Sequence, residues 1–302
     1  LLVLIAGHAL ADAEVDLSAA PYPLVIFSHG HTSESPLYAW LVEQIASYGF
    51  VVVAPDHKEQ NFPDAADYPR TTLARPVTVA RSIDYAEMLT APTGALAGMI
   101  DMESVAVAGQ SYGGYTALAA AGARFDMTAY EQRCAALAPD DPGQAMCFLV
   151  PAQAEMAELA GLDAAPQGLW PAMGDARIDA LVTIAGDSYM FDEQGLAEIT
   201  IPVLALGGTS DTATLYDWGI RPTYDHVSSQ QKILAAFEGA NHFISGTICS
   251  DAPAIVTVYA SYYMCSDSVW DINRAHDLMN HFTTAFLLDE LKGDAEAAAA
   301  LA

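Results

Sequence analysis

The sequence predicts an α/β fold: a mostly parallel central sheet flanked by helices, with one inserted segment. Three observations carry this. Short apolar runs rich in Val, Ile and Leu recur along the chain, among them PLVIFSHG, FVVVAPDH, SVAVAGQS, DALVTIAG and IPVLALGG. They are apolar throughout rather than alternating, as strands covered on both faces are. Stretches with apolar residues three and four apart separate them, the spacing of amphipathic helices. With 302 residues, 53% of them hydrophobic and 16% charged, the chain has material for one large buried core.

LLVLIAGHAL reads as a first strand; it has neither an initiator Met nor a basic flank, so the chain is expected to begin downstream of its native start. Residues 22–30 form the next strand, ending in Gly30. A helix follows, with Leu37, Trp40, Leu41, Ile45 and Tyr48 on one face, and then the strand FVVVAPDH. PVTVARSIDYAEML has helical spacing, with Pro76 suited to a first turn, where its missing N–H costs nothing. SVAVAGQS, 179–188 and 201–212 are further strands, 231–242 carries the last, and NRAHDLMNHFTTAFLLDEL is a closing amphipathic helix. Residues 124–177 break the alternation. They hold Pro139, Pro142, Pro151, Pro166 and Pro171 with scattered large apolars, and are too long for a simple connection. They read as a cap inserted into a core of residues 1–123 and 178–302.

Asp and Glu number 38 against 11 Lys and Arg, a formal charge of -27. Such a field repels phosphate backbones and anionic lipid, which argues against a nucleic-acid partner. No apolar run approaches the roughly 18 residues that span a bilayer. The four cysteines fall in two local pairs, Cys134 with Cys147 and Cys249 with Cys265, without the spacing of a zinc site. Two disulfides and a secreted or periplasmic location are expected.

Residues 105–122, VAVAGQSYGGYTALAAAG, place one serine between a strand and a helix in the pattern Gly-x-Ser-x-Gly. Such a turn is crowded, and glycines on either side remove the Cβ atoms that would clash. Ser111 is therefore the candidate nucleophile. A serine needs a base and the base an orienting acid. His242, in the loop after KILAAFEGAN, is the candidate base; His226, His276 and His281 lack that context. Asp211 after IPVLALGG is the candidate acid, with Asp187 after LVTIAG as its rival and Asp225 a weaker one. The oxyanion of an acyl transfer would be met by the N–H groups of Tyr112 and His31. His29 and His31 lack the further ligands a metal would need, so no metal and no cofactor are expected.

PLVIFSHG, RPVTVARSIDY, VAVAGQSYGGYTAL, IPVLALGGTSD, GANHF and VWDINRAHDLMNHFTTAFL, in that order, resemble the α/β-hydrolase superfamily. Within it they resemble the dienelactone hydrolase-like group that includes platelet-activating-factor acetylhydrolases. Dienelactone hydrolases proper use a cysteine where this chain has Ser111. The resemblance implies a serine carboxylesterase that cleaves short- to medium-chain esters through an acyl-enzyme, without a cofactor. Phe148, Leu149, Leu169, Trp170 and Met173 of the cap, with Tyr189, Met190 and Phe191, would wall the substrate pocket. Polyester hydrolysis, acyl transfer on the same triad, and an inactive binding protein are the alternatives; the choice between monomer and dimer stays open.

Overall fold

The computed structural model describes residues 7–57, 67–251, 253, 256–257 and 262–301. Six parallel strands form one sheet: β1 (Tyr22–Ser28), β2 (Val51–Val53), β3 (Ile100–Gln110), β4 (Ala180–Ile184), β5 (Val203–Gly208) and β6 (Lys232–Phe237). Their order is β2-β1-β3-β4-β5-β6. The strand order reverses between β1 and β3, and in such sheets ligands bind outside the carboxyl ends of the strands at that point. The helices flanking the sheet include α1 (Ala39–Ser47), α2 (Tyr68–Thr90), α3 (Tyr112–Ala120), α4 (Met127–Ala135), α5 (Gln153–Leu159), α6 (Asp192–Leu196), α7 (Ile220–His226) and α8 (Ile272–Lys292). The core is split by the sheet. Leu24, Ile26, Val105 and Val107 face one cluster, while Val25, Phe27, Ala106 and Ala108 face the other. Adjacent strand residues point to opposite faces, so both parities must be apolar. That is why these strands read as unbroken apolar runs.

Two expectations need correction. Residues 1–6 of the supposed first strand lie outside the described residues, and 7–10 form no regular structure. Pro76 is not in a first turn: α2 begins at Tyr68, capped by Asp67, with Pro69 near its start and Pro76 inside it. A proline there frees the carbonyl four residues earlier. That carbonyl belongs to Thr72, and the buried Tyr115 hydroxyl donates to it at 2.7 Å. A tertiary hydrogen bond from α3 replaces the missing helical one.

Residues 124–177 carry α4, α5 and two short 3-10 turns. Phe125, Met127, Tyr130, Met146, Leu149, Met156 and Trp170 join the same apolar cluster as Leu118 and Leu181. Cys134 is bridged to Cys147 and Cys249 to Cys265. The sequence separations of 13 and 16 close short loops, each constraining the unfolded chain by about 2–4 kcal/mol.

Candidate active site

β3 ends at Gln110, and α3 begins at Tyr112, so the direction of the chain reverses over Ser111 alone. Its backbone has φ 57° and ψ -122°, a conformation L-residues rarely hold. Packing holds it there. The Ser111 N–H donates to the Ile184 carbonyl of β4 at 2.7 Å, and the Tyr115 N–H donates to the Ser111 carbonyl. A Cβ at Gly113 would overlap the Ser28 carbonyl, and one at Gly109 the Gly113 carbonyl. Both glycines are thus required by close backbone approach, which lets α3 start directly above β1 and β3.

His242 opens a short 3-10 turn (His242–Ser245) capped by the Asn241 side chain. The Asn241 N–H donates to Asp267 at 2.8 Å, anchoring the loop from the far side. His242 Nε2 lies 2.9 Å from Ser111 Oγ, and Nδ1 lies 2.7 Å from Asp211 Oδ2. The other Asp211 oxygen, Oδ1, accepts the backbone N–H groups of Ala213 and Thr214, both at 2.8 Å. Asp211 and His242 are each 5% exposed, so their pairing is little weakened by water. The carboxylate therefore requires Nδ1 to carry the proton, which leaves Nε2 as an acceptor facing Ser111.

The remaining candidates are elsewhere. Asp187 does not bond His242 Nδ1; it follows β4, next to the strand of Asp211. Asp225 pairs with Arg221 on α7 at 2.7 Å. His276 stacks on Trp40 at 3.6 Å and bonds the Gly246 carbonyl, and His281 bonds the Ala300 carbonyl.

The loop after β1 brings His31 to the site. Arg75, 1% exposed, sits beneath that loop. It donates to the carbonyls of His29 at 2.6 Å and Gly30 at 3.2 Å, and its guanidinium lies 4.4 Å from the centre of the Tyr112 ring. The Tyr112 hydroxyl is held by Thr71 and Thr72 of α2. The Gly30 N–H donates to the Tyr38 hydroxyl, which donates to Gln110, which in turn donates to Ser245 beside His242. This chain of bonds couples the loop to the ends of β3 and β6. With the carbonyls of His29 and Gly30 turned down onto Arg75, the loop's next amide is oriented away from it. Tyr112 is the first residue of α3, and first-turn N–H groups lack intrahelical acceptors. The N–H groups of His31 and Tyr112 are the candidate oxyanion donors.

His29 is committed to structure. Its Nδ1 lies 2.7 Å from the Gly30 carbonyl and its Nε2 accepts the His57 N–H at 2.9 Å, so neither ring nitrogen is left for a metal. Burial, with Arg75 and His29 nearby, holds the His57 pKa down at about 2, so this ring stays neutral beside the buried guanidinium.

One wall beside the site is aromatic. His31 stacks on Tyr68 at 4.7 Å, Tyr68 meets Phe148 at 4.7 Å, and Phe148 meets Tyr189 at 6.0 Å. Phe148 is 39% exposed, the open member of this row. Sequence reasoning missed Tyr68 and Arg75. Arginine 75 sits within the quoted RPVTVARSIDY, in a chain with few cations, and a cation flanked by helix-core residues was the available signal. The expected pocket wall also changes. Trp170 packs edge-on against Phe125, while Met190 and Phe191 are fully buried; all three belong to the core, and Leu149 with them. They lie there because Phe125, Tyr115 and Phe191 form a parallel stack that Trp170 closes. Trp170→Ala is expected to lower stability by about 3–5 kcal/mol in denaturant unfolding. The lower part of that range is favoured, because the indole N–H has no partner among the described residues.

The chlorophyllase family model matches residues 16–148, a stretch that includes Ser111 but ends before Asp211 and His242. Cutinase est2 of Thermobifida alba is 37% identical over 110 residues, 36% of this chain and 33% of that protein. Cutinase 2 of Thermobifida cellulosilytica is 36% identical over 110 residues, 36% of this chain and 37% of that protein. Cutinase cut1 of Thermobifida fusca is 36% identical over 110 residues, 36% of this chain and 31% of that protein. The chain thus spans about a third of the length of these curated relatives. The dienelactone hydrolase likeness rests on the motifs alone; the likenesses found are to chlorophyllase and cutinases. By these and by its six-stranded parallel sheet, the chain is similar to α/β-hydrolases of the chlorophyllase and cutinase kind.

Proposed function

We propose that this protein is a serine carboxylesterase acting on short- to medium-chain esters. The observation that carries the reading is the buried chain of hydrogen bonds from Asp211 through His242 to Ser111 Oγ. In this reading Ser111 Oγ attacks the ester carbonyl and His242 Nε2 takes its proton. The N–H groups of His31 and Tyr112 meet the negative charge that develops on the carbonyl oxygen. His242 returns the proton to the leaving alcohol, and an acyl group remains on Ser111. Water, activated by the same His242, attacks the acyl-enzyme, and the carboxylic product leaves. Asp211 holds the imidazole in one tautomer and stabilises its charged form throughout.

Residues 124–177 act here as the cap, with Phe148 against Tyr68 and Tyr189 narrowing the approach to Ser111. Each methylene that no longer fits loses about 1–3 kcal/mol of transition-state binding. A series of p-nitrophenyl esters is expected to show a steep fall in kcat/KM beyond a certain acyl length. A fluorophosphonate probe is expected to label Ser111, which an inactive binding protein would not allow. Polyester hydrolysis is the second reading, favoured by the cutinase relatives. Efficient release of soluble products from a polyester film, with a flat chain-length profile, would select it. Acyl transfer would be selected if an added alcohol diverted most of the acyl group from water. The two disulfides support a secreted or periplasmic enzyme.

A further inference from the structure

Asp187 has no role in the proton path just described, yet it lies against it. It follows β4 by three residues, and the carbonyl of Ile184, the last residue of β4, accepts the Ser111 N–H. The preceding Gly186 is pressed between two parts of the site. A Cβ on Gly114 of α3 would overlap its Cα, and a Cβ on Gly219, in the segment after Asp211, would overlap its carbonyl. The next side chain, Ser188, is tied to the Trp218 and Gly219 carbonyls. Asp187 is therefore held rigidly between the turn of the serine and the loop of the acid, and it remains partly exposed.

The groups around it are a poor environment for a negative charge. His242 and Asp211, in the loops after β6 and β5, interact with it electrostatically, as do Tyr68 of α2, Tyr115 of α3, Tyr130 of α4 and Tyr189 of its own segment. Arg75 is engaged by the His29 and Gly30 carbonyls, and Arg133 stacks on Trp218. No ion pair to Asp187 from Arg or Lys occurs among the described residues. Burial lifts its carboxyl to about 6; Asp211 adds to the rise, while the Thr214 side chain and His242 oppose it. Among the described residues the group is thus a charge with no Arg or Lys partner above that pH and a neutral acid below it.

We propose that Asp187 sets the charge specificity of the site: its carboxylate excludes esters that carry an anion near the scissile carbonyl, so that neutral esters are the substrate class. This rests on the esterase reading. The same charge favours product departure, because hydrolysis turns a neutral acyl group into a carboxylate in the same site. Like charges in a site largely shielded from water repel strongly enough to move rates by about 10- to 100-fold.

The test compares p-nitrophenyl butyrate with p-nitrophenyl 3-sulfopropanoate, which differ by one sulfonate, ionised across the whole pH range used, at similar length. The readout is the ratio of their kcat/KM values, so any change common to both cancels. In the unmodified protein the preference for the neutral ester is expected to grow about 10-fold or more between pH 5 and pH 8. Asp187→Asn is expected to flatten that pH dependence and lower the preference at pH 8 by a similar factor. Inhibition by butyrate, the carboxylate product, is expected to tighten in the same variant. A preference that is flat with pH in the unmodified protein overturns the proposal, and needs no variant to fold. Equal losses on both esters in Asp187→Asn also overturn it, and would make Asp187 a support of the triad. Turnover of the neutral ester with no discrimination at all rejects this proposal but leaves the esterase reading standing. Turnover of neither ester rejects both.

Discussion

Ser111→Ala is expected to reduce kcat for a neutral p-nitrophenyl ester by about 10⁴- to 10⁶-fold, with far-ultraviolet circular dichroism unchanged. The hydroxyl is the only atom lost, and its removal leaves no nucleophile in line with His242 Nε2, which lies 2.9 Å away. His242→Ala is expected to fall within the same range, because an unassisted hydroxyl is a weak nucleophile at neutral pH. The double variant is expected to be hardly slower than either single one. The two groups act in one step, so the loss of either removes that step. Residual activity above the uncatalysed rate would come from His31 and Tyr112, whose amides do not depend on either side chain. Ester hydrolysis by Ser111→Ala within 10-fold of the unmodified rate would remove Ser111 from the chemistry.

Asp211→Asn is expected to lower kcat by about 10⁴-fold, the typical loss when the acid of such a triad becomes an amide. The structure supplies a reason specific to this site. Oδ1 already accepts two backbone N–H groups, from Ala213 and Thr214. An asparagine must place its carbonyl oxygen there, since its NH₂ cannot accept them. The NH₂ then occupies the position of Oδ2, facing His242 Nδ1. It donates to Nδ1 and drives the proton to Nε2, the nitrogen that must receive the serine's proton. The variant is thus held in the wrong tautomer by its own backbone contacts. For the neutral ester, Asp187→Asn is expected to be much the less damaging of the two substitutions, because Asp187 makes no bond to the imidazole. The reverse ranking in kcat would make Asp187 the acid.

The parallel sheet was legible from the residues because burial on both faces demands apolar side chains at successive positions along the buried stretches of β1, β3, β4 and β5, which few other structures do. Ser111 was legible for a related reason. Only a turn with no room for Cβ atoms calls for glycine at both 109 and 113, and a β-branched strand on one side with alanines on the other sets its place. The cysteine pairs lie close in sequence, so local closure was the simple outcome. Each of these features is imposed by contacts short in sequence or by a repeated pattern.

The features that the sequence missed or left open are those in which distant segments meet. Asp187 and Asp211 both follow a buried strand and a glycine, and carry nearly the same local signal. Which of them reaches His242 depends on how the loops after β4 and β5 return over the sheet edge, and that is a property of the assembled strands. Pro76 reads as a helix start until Tyr115, from another helix, answers the carbonyl it leaves open. Trp170 is large enough to wall a pocket or to fill a core, and the parallel rings of Phe125, Tyr115 and Phe191 decide for the core. Arg75 is buried because the carbonyls of His29 and Gly30 turn down to meet it, 45 or more residues away in sequence. The sequence by itself determined the sheet and the tight turn at Ser111, since these follow from side-chain size and polarity at fixed spacing. Only the tertiary structure decided which aspartate bonds the His242 imidazole, what holds the loop of His31 and where the second carboxylate stands, because those contacts join segments whose separation along the chain carries no information about their distance in space.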